Sequence, residues 1–217
     1  SPPPKRGGVW FHRVVPNAFA ALLADDTSTI AALGAYLDGL APDARAASVL
    51  DLDRAQQRRL FEKAGHAPPM TLADLVDDAA PRTEVIHDGC NTLPVPKALR
   101  RFQKRFCRPD GGGARLFGYN EGPTRKVVGP GYFVAYLTRD TPHWSARGGI
   151  VVDYFQVPDG PVVDGWPKVK ANTAGVQRAV YAGTRDFLRR VSHHVSVGAA
   201  YKGERPIDHY FVLCQQA

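Results

Sequence analysis

The sequence has few cysteines: Cys90, Cys107 and Cys214 are the three thiols in 217 residues. Such a small, odd set argues against a disulfide framework as the basis of the fold. No two of the thiols stand at the C-x-x-C spacing that is typical of a zinc site. A chain that does not depend on disulfides is typical of a reducing compartment, which favours the cytoplasm but leaves the localisation open.

Long apolar runs are also missing. The longest covers residues 132–137, which suits a strand, whereas a membrane-spanning helix needs about 18 apolar residues or more. The first residues lack the apolar core of a signal peptide. They are rich in proline and glycine, so we expect a loose tail over residues 1–16. An apolar content of 44% nevertheless allows a sizeable core, which indicates a soluble globular protein.

Residues 17–81 have the pattern of short helices. Asn17 is a good N-cap residue, and Thr27 or Ser28 could begin a second helix whose apolar residues recur at helical spacing. Asp53 and Gln56 have the spacing of a capping box, which predicts a helix starting at residue 54. The sequence therefore predicts a helical segment that ends at Pro81.

Residues 82–217 are predicted to be mainly β, with a basic amphipathic helix over residues 97–107 and a long helix over residues 173–191. Alternating residues over 195–201 and a return strand over 210–214 indicate a C-terminal antiparallel hairpin. The predicted fold class is α+β: a helical N-terminal third, then a curved antiparallel sheet or partial barrel covered by the long C-terminal helix. We expect the helical and β parts to form one integrated domain.

Small residues occupy one face of the hairpin strand, at Ser196, Gly198 and Ala200. They leave room either for a closely packed helix or for a bound ligand. In architecture alone the strand-rich part resembles lipocalin-like and other small-ligand barrels, and no signature motif of such proteins is present. The resulting hypothesis is a protein that binds a small apolar or amphipathic, lipid-like ligand, with an acidic head group as one variant.

Aromatic side chains of the β part are the candidates for the cavity wall, because apolar ligands bind to such surfaces with a few polar groups for orientation. Arg147 could bind the head group of an acidic ligand, and Trp144 stands close to it in the sequence. The predicted ligand-binding residues are Tyr132, Tyr136, Trp144, Arg147, Tyr154 and Tyr201.

An enzyme that uses the same cavity is the alternative hypothesis, of hydrolase or isomerase type. Its predicted acid-base set is His143, Asp153, His194 and His209, residue types that transfer protons near neutral pH. For His194 a simpler interpretation is open, since a cationic imidazole is favoured at a helix C-terminus. No cofactor is predicted, and no metal is predicted because no histidines recur at H-x-H or H-x-x-x-H spacing.

Basic residues are unevenly distributed. Residues 1–80 have eight Lys and Arg against ten Asp and Glu, whereas residues 81–217 have twenty against eleven. One dense group predicts an anion-binding face: Lys97, Arg100, Arg101, Lys104, Arg105 and Arg108. Such a face could bind an anionic membrane surface or a polyanion, or it could be simply a solvated helix face. We predict no nucleic-acid partner, because no recognised binding motif is present.

Overall fold

The computed structural model describes residues 17–216, and its main feature is a closed barrel of eight antiparallel strands. The strands are β1 (Val85–Asn91), β2 (Arg101–Cys107), β3 (Arg115–Glu121), β4 (Phe133–Leu137), β5 (Ile150–Asp153), β6 (Thr184–Arg190), β7 (Val195–Lys202) and β8 (Arg205–Gln215). Each strand pairs with the next, and β1 pairs with β8 to close the barrel. The predicted N-terminal tail, residues 1–16, lies outside the described residues.

This up-and-down order sends successive connections to alternate ends of the barrel. The β1–β2, β3–β4, β5–β6 and β7–β8 connections meet at one end, which we call the open end. The β2–β3, β4–β5 and β6–β7 connections meet at the opposite, closed end. Three short helices belong to the connections: α6 (Arg125–Val128), α7 (Pro142–Ser145) and α8 (Gln177–Tyr181).

Within the described residues, five α-helices precede the barrel. They are α1 (Ala18–Ala24), α2 (Ile30–Asp38), α3 (Pro42–Leu50), α4 (Arg54–Lys63) and α5 (Ala73–Val76). The N-cap of α1 at Asn17 and the capping box of α4 at Asp53 and Gln56 are confirmed. Thr29 caps α2, so this helix begins later than the predicted starts at Thr27 or Ser28. No helix within residues 17–216 has both the length and the hydropathy to cross a bilayer.

The first four helices cover the outer face of the barrel at β1, β7 and β8. Their apolar side chains form one buried cluster with outward-facing strand residues such as Val197 and Val212. Cys90 and Cys214 belong to the same cluster, and burial raises the pKa of the Cys214 thiol to about 11. The helices therefore bury strand surface that would otherwise face water, and that burial stabilises the barrel.

Three phenylalanine rings fill the middle of the barrel, and interior glycines make space for two of them. A Cβ atom at Gly118 would lie 2.4 Å from the ring of Phe133, and one at Gly198 would lie 2.1 Å from the ring of Phe211. The third ring, that of Phe106, stacks edge-on against Phe133 at 5.4 Å. The space at Gly198 is therefore filled by a side chain of the neighbouring strand.

The closed end of the barrel is filled by α5 and the residues before it. Met70, Leu72 and Leu75 belong to the same buried cluster as the interior residues Phe106 and Leu188. Hydrogen bonds fix this plug to the strands, and one of them joins the His87 Nε2 atom to the backbone oxygen of Leu75 at 2.8 Å.

Acid is expected to destabilise the plug through His87. Burial lowers its pKa from 6.5 to about 4, because the charged imidazolium would lose its hydration. The hydrogen bond to the Leu75 carbonyl and the charges of Asp77 and Asp88 oppose the shift. Between these two pH values the unfolded chain binds a proton that the folded chain does not bind, so stability falls as pH falls. The loss reaches about 3 kcal/mol at the lower value.

The measurement is the free energy of unfolding in urea, at several values between about pH 7 and about pH 4. The control variant His87→Gln keeps a donor for the Leu75 carbonyl but does not titrate. Its stability should depend less steeply on pH than that of the wild type. Parallel profiles for the two proteins would show that His87 contributes nothing to the acid sensitivity.

Two predicted helices are wrong, and with them the predicted fold class. Residues 173–191 form the short helix α8 and then strand β6, with Gly183 at φ 74° between them. Residues 97–107 form a 3-10 turn at Lys97–Leu99 and then strand β2. The sheet is thus a complete barrel, and no long helix covers it within residues 17–216. Over residues 173–191 the pattern was misleading because adjacent residues of β6 are buried on both faces, so its apolar residues do not simply alternate. Over residues 97–107, Leu99, Phe102 and Phe106 also fit a helical period.

Candidate functional site

A cavity of about 330 Å³ occupies the open end of the barrel. Its wall is mostly apolar and includes side chains of the β1–β2 connection, the strands and α8. Representative members are Leu93, Val95, Leu99, Phe102, Val180 and Phe211. This volume is at the lower end of the range of about 300–1,000 Å³ for small-molecule sites.

Four polar residues meet at the inner end of this cavity: Lys104, Asn120, Tyr154 and Asp186, which we call the Lys104 cluster. They come from β2, β3, the residue after β5, and β6. Lys104 Nζ lies 3.1 Å from Asp186 Oδ2 and 3.1 Å from Asn120 Oδ1, and it also contacts the Tyr154 hydroxyl. The three N–H groups of the ammonium therefore all have acceptors.

The Tyr154 hydroxyl links the cluster together. It donates to Asp186 Oδ2 at 3.1 Å and accepts from Asn120 Nδ2 at 3.1 Å. Burial raises its pKa well above the ordinary value, so this hydroxyl keeps its proton. The ring of Tyr181 stacks on that of Tyr154 at 5.2 Å, which brings α8 against the cluster.

Lys104 is almost completely buried, with 2% of its side chain exposed. Its Nζ lies 5.0 Å from the ring centroids of both Phe133 and Phe211, a distance at which a cation is attracted to a ring face. Burial lowers the pKa of Lys104, while the carboxylate of Asp186 opposes that shift. Local sequence explains the position, since Phe102, Lys104 and Phe106 alternate along β2 and point inward together.

Tyr154 is the member of the predicted ligand-binding set that lines the cavity. Tyr132 and Tyr136 belong to the outer side of the wall. Tyr132 packs beside Trp166 of the long β5–β6 connection, and the Tyr136 hydroxyl donates to Asp153 at 2.8 Å. Both tyrosines thus have structural partners away from the cavity.

The other three predicted ligand-binding residues surround Glu204 on the outside of the barrel. Arg147 pairs with its carboxylate at 2.8 Å, and Trp144 donates to it at 3.3 Å. The guanidinium of Arg147 lies 4.7 Å from the ring of Tyr201. With its charge already paired, Arg147 holds the β7–β8 hairpin to α7.

The structure does not bring the four predicted acid-base residues into one cavity. His143 lies 3.6 Å from Glu204 on the outer surface, and Asp153 pairs with Arg185 at 3.3 Å. His194 is in the β6–β7 turn at the closed end. His209 lines the cavity, and its Nδ1 is buried without a hydrogen-bond partner among residues 17–216.

Strand β2 divides the predicted anion-binding residues between the inside and the outside of the barrel. Lys104 points inward, whereas Arg105 points outward and pairs with Glu84 at 3.1 Å. Arg101 pairs with Asp51 at 2.6 Å. The remaining members are Lys97, Arg100 and Arg108, of which the two arginines donate to backbone carbonyls. A single basic face would require the helix that is not formed.

Sequence reasoning grouped Lys104 with the surface cations and missed Asn120 and Asp186 altogether. The available signal was a lysine between two phenylalanines at strand spacing, but the segment also fits a helical period.

Within residues 17–216, no three His, Cys, Asp or Glu side chains are grouped closely enough to hold a metal ion. A comparison with protein-family models, curated proteins and solved structures finds no match to this chain.

Proposed function

We propose that the open-end cavity binds a small, mainly apolar ligand that directs one neutral polar group toward the Lys104 cluster. A closed barrel is compatible with ligand binding in a cavity, and here the cavity is formed by the fold itself. The observation that supports the proposal is an apolar chamber of about 330 Å³ ending on a buried polar cluster. Such a combination is typical of small-molecule sites, where polar groups orient the ligand.

The Lys104 cluster favours a neutral group over an acid at the inner end. The charge of Lys104 is already balanced by Asp186 at 3.1 Å, so a carboxylate placed there would be repelled by Asp186. A ligand hydroxyl or carbonyl adds no charge and could accept a hydrogen bond from the lysine in place of Asn120 Oδ1 or the Tyr154 hydroxyl. The charged head of an acidic ligand would be better placed at the rim of the cavity, where Arg101 lies.

The test is to look for a bound ligand and to measure binding of a neutral probe. Native mass spectrometry of protein purified from its own host should show a co-purified small molecule. The neutral fluorophore N-phenyl-1-naphthylamine should bind with a stoichiometry of one, with increased emission because the cavity is apolar. A ligand-free mass together with no saturable binding of the probe would refute the proposal.

A second candidate function is docking of the open end onto an anionic membrane, favoured by apolar side chains exposed there. Leu93 and Leu99 belong to the β1–β2 connection, Val127 to the β3–β4 connection, and Val176 and Val180 to the β5–β6 connection. Ile207 lies in β8, close to the β7–β8 turn. Exposed lysines accompany them: Lys97 and Lys126 lie in two of these connections, and Lys202 lies at the end of β7. Apolar residues with basic neighbours are typical of surfaces that insert into anionic lipid.

Introducing charge at this rim should weaken membrane binding. The double variant Val127→Glu/Val176→Glu alters two side chains that are 76% and 60% exposed. Loss of their apolar contact should reduce binding to phosphatidylglycerol vesicles by at least about tenfold in a flotation assay. The matched control is Ala44→Glu/Ala47→Glu on α3, which adds the same charge elsewhere. Equal binding by the two variants, or none by the wild type, would exclude membrane docking.

A further inference from the structure

Lys104 is the one lysine among residues 17–216 that lines the cavity. Its Nζ is held at the inner end by Asn120, Tyr154 and Asp186, so a ligand group that reaches this end meets a fixed amine. Lysines that form imines with carbonyl compounds are found in such desolvated pockets, where the neutral amine is easier to reach.

A base for the ammonium proton is in place. Asp186 Oδ2 is 3.1 Å from Nζ and can take one proton from it, leaving a neutral nucleophilic amine. Burial favours that neutral form, since it lowers the pKa of Lys104. The Tyr154 hydroxyl touches both partners, so it offers a short route for a proton between Asp186 and the ligand.

We propose that Lys104 forms a covalent imine with an apolar aldehyde or ketone bound in the open-end cavity. This inference rests on the proposed ligand binding and names the substrate class: a hydrophobic molecule with a carbonyl group at its inner end. The supporting observation is an amine, a carboxylate and a phenol within hydrogen-bond distance of one another at the end of an apolar chamber.

The reaction balances without any oxidant or reductant. The neutral amine of Lys104 attacks the carbonyl carbon, and the carbonyl oxygen takes a proton through Tyr154 from Asp186. The resulting carbinolamine then loses its hydroxyl group as water, with a second proton from the nitrogen. Overall the ammonium and the carbonyl become a protonated iminium and one water molecule, and the two protons in that water come from the nitrogen.

The same surroundings stabilise the product. The iminium nitrogen carries the positive charge that the ammonium carried, so Asp186 remains its counter-ion. The faces of Phe133 and Phe211, each 5.0 Å from Nζ, attract that charge as well. Because the cavity wall is mostly apolar, it also disfavours the water that would hydrolyse the imine.

The test uses decanal as the probe, with sodium cyanoborohydride to reduce any iminium to a stable amine. Intact-mass spectrometry should show one addition, equal to the mass of decanal less one oxygen atom. Peptide mapping should place it on Lys104 at a level about tenfold above that on exposed lysines such as Lys126 and Lys170. Decanol, which fits the cavity but has no carbonyl, should suppress the labelling of Lys104 and leave the exposed lysines unchanged.

Lys104→Arg is the matched variant, because it keeps the charge beside Asp186 and cannot form an imine. Its folding is checked by thermal unfolding, and its binding of N-phenyl-1-naphthylamine shows whether the cavity persists. Probe binding by the wild type with no preferential labelling of Lys104 would overturn this inference and leave the proposed ligand binding intact. Absence of both would refute the two together. If Lys104→Arg does not fold, competition by decanol on the wild type still decides the outcome.

Discussion

Replacing Asp186 with asparagine is expected to lower the free energy of unfolding by about 3–5 kcal/mol near neutral pH. The side chain is nearly isosteric, but Lys104 would lose its counter-ion while remaining 2% exposed in an apolar chamber. The protein would then either keep an unpaired buried charge or deprotonate the amine. Either outcome lowers the free energy of unfolding of the variant relative to the wild type.

Urea unfolding of the wild type and of Asp186→Asn measures this loss, and its pH dependence gives a second check. Without Asp186 the pKa of Lys104 falls further. Between that lowered pKa and the ordinary lysine value, the unfolded chain binds one proton more than the folded chain. Stability of the variant relative to the wild type should therefore recover as pH rises toward about 10.

Two controls separate the buried pair from a general charge effect. The double variant Lys104→Met/Asp186→Leu removes both charges and should recover much of the lost stability, because apolar side chains can replace a buried ion pair. Glu62→Gln breaks the exposed pair with Arg58 and should leave stability nearly unchanged, because solvent screens that pair. If Asp186→Asn lost as little stability as Glu62→Gln, the Lys104–Asp186 pair would have to be hydrated, so that water could take the place of the carboxylate.

Filling the cavity should abolish binding of the apolar probe. Ala200 lies on the inner face of β7 and lines the open-end cavity. The indole of Ala200→Trp would occupy much of the 330 Å³ chamber, so affinity for N-phenyl-1-naphthylamine should fall by at least about tenfold, or about 1.4 kcal/mol. Fluorescence titration measures the dissociation constant.

The matched control is Ala44→Trp, which adds the same side chain at an exposed position of α3. It should bind the probe as the wild type does. Thermal unfolding of both variants shows whether the barrel remains folded, so that lost binding can be attributed to lost space. Unchanged affinity in Ala200→Trp would place the probe at another site and refute the open-end cavity as the ligand site.

Local patterns were reliable where neighbouring residues alone decide the structure. The N-cap at Asn17 and the capping box at Asp53 are observed because the side chain and backbone that form them are three residues apart. The C-terminal hairpin is observed as β7 and β8. The helix predicted over residues 173–191 failed since Phe187 and Leu188, adjacent residues, are both buried on opposite faces of β6.

The candidate site was largely beyond sequence reasoning. Tyr154 was identified, but its partners Lys104 and Asp186 are separated from each other by 82 residues. Nothing in their spacing indicates that they meet. Their contact depends on barrel closure, which sets the inward face of each strand.

The sequence by itself determined the helix starts of the N-terminal part, the C-terminal hairpin and the apolar content sufficient for a core. Only the tertiary structure decided that the sheet closes, that α5 fills one end, and that a cavity remains at the other. The physical reason is that a strand pattern shows two faces without showing which one is inside. A lysine such as Lys104 can be recognised as buried only when the partners that balance its charge have been brought to it by the pairing of distant strands.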